Sequence, residues 1–308
     1  MNAPHKDLIT MLDWTPDEIQ GLLARAAGLK KGRLVSDPPV LKNKTGVLIF
    51  EKPSLRTRIT FEAAINELGG HPINLSSDMV QLGRREAIED VARNLERWVH
   101  LIVARTYAHE TIVRLAANCH IPVINALDDC FHPCQALAFA LSLSEYRPGI
   151  ARPHVVFIGD GNNVCISIMI IASLLGWRFT AVCPDGFEPQ QDIAAQCRGL
   201  AKRTGASIGI ERDPAAAVAD ATVIYTDVWA SMGQEHEAEH RKKVFAHLQV
   251  NSRLLARAPA DVLVSHCLPA HRGEEITSDV LDSKHAIAFD EAENRLHVQK
   301  AIIAYLFQ

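Results

Sequence analysis

Val47-Leu48-Ile49-Phe50-Glu51-Lys52-Pro53-Ser54-Leu55-Arg56-Thr57-Arg58 reads as a strand, a turn and the opening of a helix. Residues 47–50 form a continuous apolar run, as expected of a strand covered on both faces. The helical pattern continues over 59–68 and stops at Gly69-Gly70. A helix N-terminus presents backbone N–H groups that lack intrahelical partners, together with the positive end of the macrodipole. Ser54, Arg56, Thr57 and Arg58 add two hydroxyls and two guanidiniums at that point. Such a turn suits a small dianion, most simply a phosphate. Taken alone, the same residues also describe a capped helix with two solvated arginines, so the rest of the chain must decide.

Working outward, apolar runs alternate with helical patterns. Thr15-Pro16-Asp17-Glu18 is a capping box with proline at the first helical position, and it starts a helix through Leu22-Leu23. Further strands are expected at 73–75, 101–104 and 122–125, with helices near 86–97, 109–118 and 132–144. Residues 146–153, Tyr-Arg-Pro-Gly-Ile-Ala-Arg-Pro, interrupt the pattern with two prolines and a glycine. The alternation then resumes, with strands expected at 155–158, 179–182, 207–210, 223–225, 262–265 and 286–289, and a last helix over 291–307. The fold class is therefore α/β, with two doubly wound domains built on mainly parallel sheets. The expected division is 1–145, 146–290 and a C-terminal helix, 291–308, that returns to the first domain. In such sheets ligands collect beyond the carboxyl ends of strands. With two domains, the expected active site is an interdomain cleft.

Composition narrows the function. The 308 residues, 48% of them hydrophobic, suffice for two cores. A formal net charge of −4 with scattered Lys and Arg gives no footprint for nucleic acid or an acidic membrane. No apolar run is long enough to span a bilayer, and the first residues resemble neither a signal nor a transit peptide, so a cytoplasmic location is expected. Seven cysteines with no C-x-x-C pair argue against a disulfide framework, and the fourteen dispersed histidines show no metal-ligand spacing. No metal or cofactor is expected.

Six polar clusters sit at or near strand ends: Ser54–Arg58, Arg105-Thr106, His132-Pro133-Cys134-Gln135, Asn162-Asn163, Asp227 with Ser231-Met232-Gly233, and His266-Cys267-Leu268-Pro269. Each has an ordinary structural reading. Arg105 could be a surface cation, His132 a satisfied core histidine, Asn162-Asn163 a turn, Asp227 a helix cap and Cys267 a buried inert thiol. Six clusters at equivalent topological positions exceed what surface polarity alone accounts for. Gly159-Asp160-Gly161-Asn162-Asn163-Val164 is similar to a nucleotide loop but lacks the third glycine of G-x-G-x-x-G, which argues against a nicotinamide or flavin.

These clusters, with residues 50–58, Gln81-Leu82-Gly83, residues 227–235 and Glu291-Ala292-Glu293-Asn294-Arg295, resemble the aspartate/ornithine carbamoyltransferase family, in its ornithine-accepting members. The resemblance runs in family order over nearly the whole chain. It implies that the first domain binds carbamoyl phosphate. Ser54, the Leu55 backbone N–H, Arg56 and Thr57 would cradle the phosphate, and Arg105 would bridge phosphate and carbonyl oxygen. His132 would donate to that oxygen, Gln135 would hold the carbamoyl amide, and Arg295 would close the pocket. Gln81 would reach a neighbouring subunit's phosphate site, implying a homotrimer or a multiple of trimers. In the second domain Asn163, Asp227, Ser231 and Met232 would bind L-ornithine. Asp227 would take the α-ammonium and Asn163 the carboxylate end, and Ser231-Met232-Gly233 would form a mobile loop. Cys267 and the Leu268 backbone would face the reacting amine and carbamoyl group, which makes Arg105, His132 and Cys267 the catalytic candidates. The chemistry needs no cofactor. Leu55 stands where the family more often has threonine, so only its backbone N–H remains to serve the anion. Putrescine, aspartate or an acylated ornithine as acceptor, and a non-enzymatic binding module, are the alternatives. Aspartate would call for cations where this chain has Asp227 and Cys267, and putrescine would have no use for Asp227.

Overall fold

The computed structural model describes residues 7–32, 39–76, 82–83, 85–231, 233 and 235–308. The chain divides into two compact units, one comprising Met1–Leu141 with Glu293–Gln308 and the other Ser142–Ala292.

In the first unit, α1 (Pro16–Lys30) opens on the expected capping box. The Glu18 N–H donates to Thr15 Oγ1 at 3.3 Å, and the Thr15 N–H donates to Glu18 Oε2 at 2.8 Å. The sheet consists of β1 (Thr45–Phe50), β2 (His71–Ser76), β3 (Leu101–Arg105) and β4 (Val123–Leu127), all parallel, in the order β2-β1-β3-β4. Between them lie α2 (Leu55–Glu67), α3 (Ile88–Trp98) and α4 (His109–Ala117), and α5 (Pro133–Tyr146) follows β4. Val47 and Ile49 of β1 and Ile102 and Ala104 of β3 form one buried cluster with Ile88, Ala92 and Leu95 of α3 and Ile112 and Leu115 of α4. Alternate strand residues thus supply one face, and an amphipathic helical stripe covers it.

The second unit holds β5 (His154–Ile158), β6 (Arg178–Val182), β7 (Ser207–Glu211), β8 (Val223–Thr226) and β9 (Leu263–His266), again all parallel, in the order β7-β6-β5-β8-β9. Helix α6 (Asn163–Leu174) is buried from Val164 through Leu174. A helix enclosed on every side needs apolar or small residues all round, which is what Val-Cys-Ile-Ser-Ile-Met-Ile-Ile-Ala-Ser-Leu provides. Helix α7 (Gln191–Thr204) ends at Gly205 with φ +79°, a left-handed cap that glycine adopts without strain.

One expectation fails. Residues 286–289 are not a strand. Ala286 makes an isolated bridge to Val264, the Ile287 N–H donates to the Val264 carbonyl at 2.8 Å, and the last helix starts at Ala288 and runs to Leu306. A four-residue apolar run cannot distinguish a strand from a buried helix start. Here Asp290 and Glu291 in the first turn favour the helix.

Each strand order reverses at one place. In the first sheet this lies between β1 and β3, where Phe50 pairs with Arg105. In the second it lies between β5 and β8, where Ile158 pairs with Thr226. Ligands of open α/β sheets gather at such switch points. The turns leaving these strands begin at Glu51, Thr106, Gly159 and Asp227. All seven cysteines are free thiols, and among the described residues no helix is long and apolar enough to cross a membrane.

Candidate functional site

At the switch point of the first sheet, Ser54 caps α2, its Oγ accepting from the Thr57 N–H at 3.3 Å. Such a cap contributes about 1 kcal/mol and fixes where the helix begins. Thr57 is fully buried, and its Oγ1 accepts from Arg295 Nη2 at 2.7 Å. A buried hydrogen bond to a charged group contributes about 1.5–3 kcal/mol, enough to hold the Arg295 fork beside the helix start. Arg105 is the last residue of β3 and is buried, with its carbonyl accepting from the Glu51 N–H at 2.8 Å. His132 and Gln135, at the start of α5, are both buried.

The electrostatics are one-sided around His132. Burial first, and then the Arg295, Arg105 and Arg56 guanidiniums, hold its pKa well below the ordinary histidine value. The ring is therefore neutral at physiological pH, retaining one N–H to donate. Lys52, buried and lying 4.8 Å from the Tyr107 ring centroid, has its pKa lowered by burial first and next by Arg105. Lys52 and Arg105 repel one another, and a bound dianion would relieve that repulsion. Cys134 is a buried apolar filler whose thiol pKa burial pushes up to about 12.

At the switch point of the second sheet, Asn162 caps α6, its Oδ1 accepting from the N–H groups of Val164 and Cys165 at 3.0 and 3.1 Å. Its Nδ2 donates to Asp227 Oδ2 at 2.9 Å. Asp227 Oδ1 accepts from the Val228 N–H and from Cys267 Sγ, both at 2.8 Å. One carboxylate thus joins the ends of β5, β8 and β9. Gly161 is required by close approach, because a Cβ there would lie 2.2 Å from the Pro189 nitrogen. Leu268 has φ +55°, and its N–H donates to His266 Nδ1 at 2.8 Å, while His266 Nε2 contacts Glu275 Oε1 at 3.1 Å. With Nδ1 accepting, the proton sits on Nε2 and donates to Glu275. Glu291 lies beneath, accepting from the Tyr225 hydroxyl at 2.7 Å and from Ser265.

The expected residues fall into two groups. Ser54, Leu55, Arg56, Thr57, Arg105, His132, Gln135 and Arg295 belong to the first unit; Asn163, Asp227, Ser231, Cys267 and Leu268 belong to the second. Leu55 is 70% exposed, so its side chain points away from any enclosed anion site. Asn163 is the first residue of α6, and Ser231 is half-buried. Gln81 and Met232 lie outside the described residues. The structure adds Lys52, Asp128 and Arg241 to these neighbourhoods and gives Asn162, expected only as part of a polar cluster, a place beside Asp227. Arg241 Nη1 donates to Asp160 Oδ2 at 2.7 Å and to the Trp229 carbonyl at 3.0 Å, tying the 159–163 turn to the segment after β8. Lys52 and Asn162 adjoin expected residues in sequence, whereas nothing local marks Arg241.

Asp227, His266 and Cys267 place potential metal-ligand atoms within 4.8 Å of one another. Both His266 ring nitrogens are engaged, and Cys267 Sγ donates to Asp227, so this trio is already joined by internal hydrogen bonds.

Comparison with known proteins agrees with this geometry over both units. Residues 6–145 match the aspartate/ornithine carbamoyltransferase carbamoyl-P binding domain, and residues 152–306 match the Asp/Orn binding domain of the same family. The ornithine carbamoyltransferase of Pyrococcus horikoshii is 48% identical over 302 residues, covering 98% of this chain and 95% of that protein. Among solved structures, the ornithine carbamoyltransferase from Pyrococcus furiosus superposes with a TM-score of 0.92 at 46% identity, over 97% of this chain and 96% of that one. The anabolic ornithine carbamoyltransferase from Campylobacter jejuni gives 0.93 at 37% identity, over 98% and 99%. Over nearly its whole length, then, the chain belongs to the aspartate/ornithine carbamoyltransferase family and is a transferase.

Proposed function

We propose that this enzyme transfers the carbamoyl group of carbamoyl phosphate to the δ-amine of L-ornithine, giving L-citrulline and phosphate. The observation that carries this reading is the gathering of Arg56, Arg105 and Arg295 around a neutral, buried His132, beside a capped helix N-terminus. Residues 1–145 take carbamoyl phosphate, residues 146–290 take ornithine, and residues 291–308 contribute Arg295. Ser54, Arg56, Thr57 and the N–H of Leu55 hold the phosphate, with Gln81 supplied by a neighbouring copy.

In the reaction the neutral δ-amine attacks the carbamoyl carbon, and the carbonyl oxygen becomes an oxyanion. Thr57, Arg105 and His132 stabilise that charge, and Gln135 orients the amide. One well-placed donor of this kind supplies about 3–4 kcal/mol, or roughly 10²–10³ in rate. The oxyanion re-forms the carbonyl as the carbon–oxygen bond to phosphate breaks, the proton of the attacking nitrogen passes to the departing phosphate, and the phosphate leaves against the Arg56 and Arg105 cations. The carbamoyl group arrives activated, so the chemistry calls for no cofactor. Asp227 receives the α-ammonium and Asn163 the carboxylate, while Ser231 and Met232 line the acceptor. Cys267 and the Leu268 backbone act at the reacting amine. Asp227 beside Cys267 favours ornithine over aspartate, whose second carboxylate needs a cation. A biosynthetic role leading to arginine fits the anabolic Campylobacter relative, and we place the enzyme in the cytoplasm.

The test is citrulline formation against ornithine concentration, with putrescine, aspartate and an acylated ornithine as competing acceptors and Arg56→Ala as the control. We expect ornithine to give the highest kcat/KM, phosphate to inhibit as product, and Arg56→Ala to lose at least about 10²-fold. A preference for putrescine, or equal product from Arg56→Ala, overturns the reading.

A further inference from the structure

The turn that presents His132 is organised by a single buried carboxylate. Asp128 follows β4 directly and is fully buried. Its Oδ1 accepts from the N–H groups of Cys130 and Phe131 at 2.8 and 2.6 Å. Its Oδ2 accepts from Asn125 Nδ2 at 2.7 Å and lies 2.6 Å from His109 Nδ1. The Asp128 N–H also donates to the Phe131 carbonyl at 3.0 Å, closing the turn on itself. The backbone between β4 and α5 is thereby fixed on both sides of the carboxylate, and His132 is the next residue after the last of these bonds.

His109 supplies the outer brace. It is the first residue of α4, and its backbone N–H donates to Asp129 Oδ1 at 2.8 Å. Its ring meets Phe131 edge-on, with centroids 4.9 Å apart. The same residue thus touches three positions of the turn: Asp128 through its ring nitrogen, Asp129 through its backbone and Phe131 through its ring packing. A carboxylate with no exposed surface needs donors around it, and the His109 ring supplies one of them, with the Lys52 cation also acting on Asp128. The Asp128 hydrogen bond is also the main cause that raises the His109 pKa above its ordinary value.

We propose that Asp128 and His109 form a positioning pair that sets the place and orientation of the His132 ring. Neither touches the reacting atoms; both act through the 128–132 turn. The inference rests on the carbamoyl-transfer reading only for what His132 then does. Misplacing such a group by a fraction of its hydrogen-bond length lowers turnover without removing the binding site, because the phosphate is held elsewhere.

The test compares Asp128→Asn, His109→Phe and His109→Gln in the full-length protein. Asp128→Asn puts an amide donor against the donors of Asn125 and His109. His109→Phe keeps the ring packing on Phe131 and deletes the bond to Asp128, and His109→Gln restores a neutral donor. We expect His109→Phe to lower kcat on the order of 10- to 100-fold with KM for carbamoyl phosphate within about threefold, and His109→Gln to recover most of the loss. The His132 ring resonance, assigned in ¹⁵N-histidine protein by its disappearance in His132→Gln, should shift in His109→Phe and return in His109→Gln. Asp128→Asn should reproduce the His109→Phe pattern in whatever fraction folds. An unmoved His132 resonance, or a kcat loss that only follows the loss of folded protein, overturns the proposal. A wild-type enzyme that makes no citrulline, yet whose His132 resonance still responds to His109→Phe, would leave the positioning pair standing and remove the assigned reaction.

Discussion

His132 is a base in composition tables and a neutral donor in this fold. Burial is the largest cause and three guanidiniums the rest, all acting to keep a second proton off the ring. That has a measurable consequence for stability. Because the folded-state pKa is depressed, the unfolded chain takes up the proton first as pH falls. The stability tied to a neutral His132 is therefore intact above about pH 6.5 and is lost progressively below it. We expect the urea midpoint of the wild type to fall between about pH 7.5 and about pH 5.5, and to fall less in His132→Gln, which has no proton to gain. His154 and His297, whose pKa values burial also lowers, remain in both proteins, so the difference between the two isolates His132. Equal falls would place the acid sensitivity elsewhere.

At the scale of elements, the turns after β5 and β8 show what local sequence conveys and what it does not. Strand and helix positions were legible because buried parallel strands are apolar runs and helices announce their starts, as at Thr15 and Ser54. The run 286–289 was misread because four apolar residues carry no period. The bonds that join elements were not legible at all. Asn162 meets Asp227 65 positions away, and Thr57 meets Arg295 238 positions away, distances over which no spacing rule operates. Gly161 is a special case. As one of two glycines around Asp160 it suggested a nucleotide loop, yet the structure gives another reason for it. Its N–H donates to the Phe187 carbonyl at 2.8 Å, and its missing Cβ leaves room for the Glu188–Pro189 backbone. The clash from Gly161→Ala is with main chain, so no rotamer change relieves it. We expect that substitution to cost at least the roughly 1–3 kcal/mol typical of overpacking, read as a lowered Tm. We also expect the KM for ornithine to rise more than the KM for carbamoyl phosphate, since the displaced turn carries Asn162 and Asn163. An unchanged Tm would show that the 187–189 segment yields freely.

For the molecule as a whole, the surface of the first unit points to self-association. Leu55 and Ile59 are 70% and 55% exposed, and their four-residue spacing puts them on one face of α2. Ile73, on the edge strand β2, is 40% exposed. Apolar side chains grouped on one helix face beside an edge strand are what an interface covers and a lone monomer leaves wet. The same helix starts at the proposed phosphate cradle, so a neighbour seated on this face would stand beside it, as the proposed role of Gln81 requires. We therefore expect light scattering to give a mass close to three times the 33.9 kDa of one chain, or a multiple of that. Ile59→Glu places a charge on the face without altering Ser54, Arg56 or Thr57. If copies share the site, this variant should dissociate and lose citrulline formation together, with activity recovering as protein concentration restores the assembly. A wild type that runs as a single chain would refute the assembly. A dissociated Ile59→Glu that keeps full turnover would instead confine the site to one copy and leave Gln81 without a part in it.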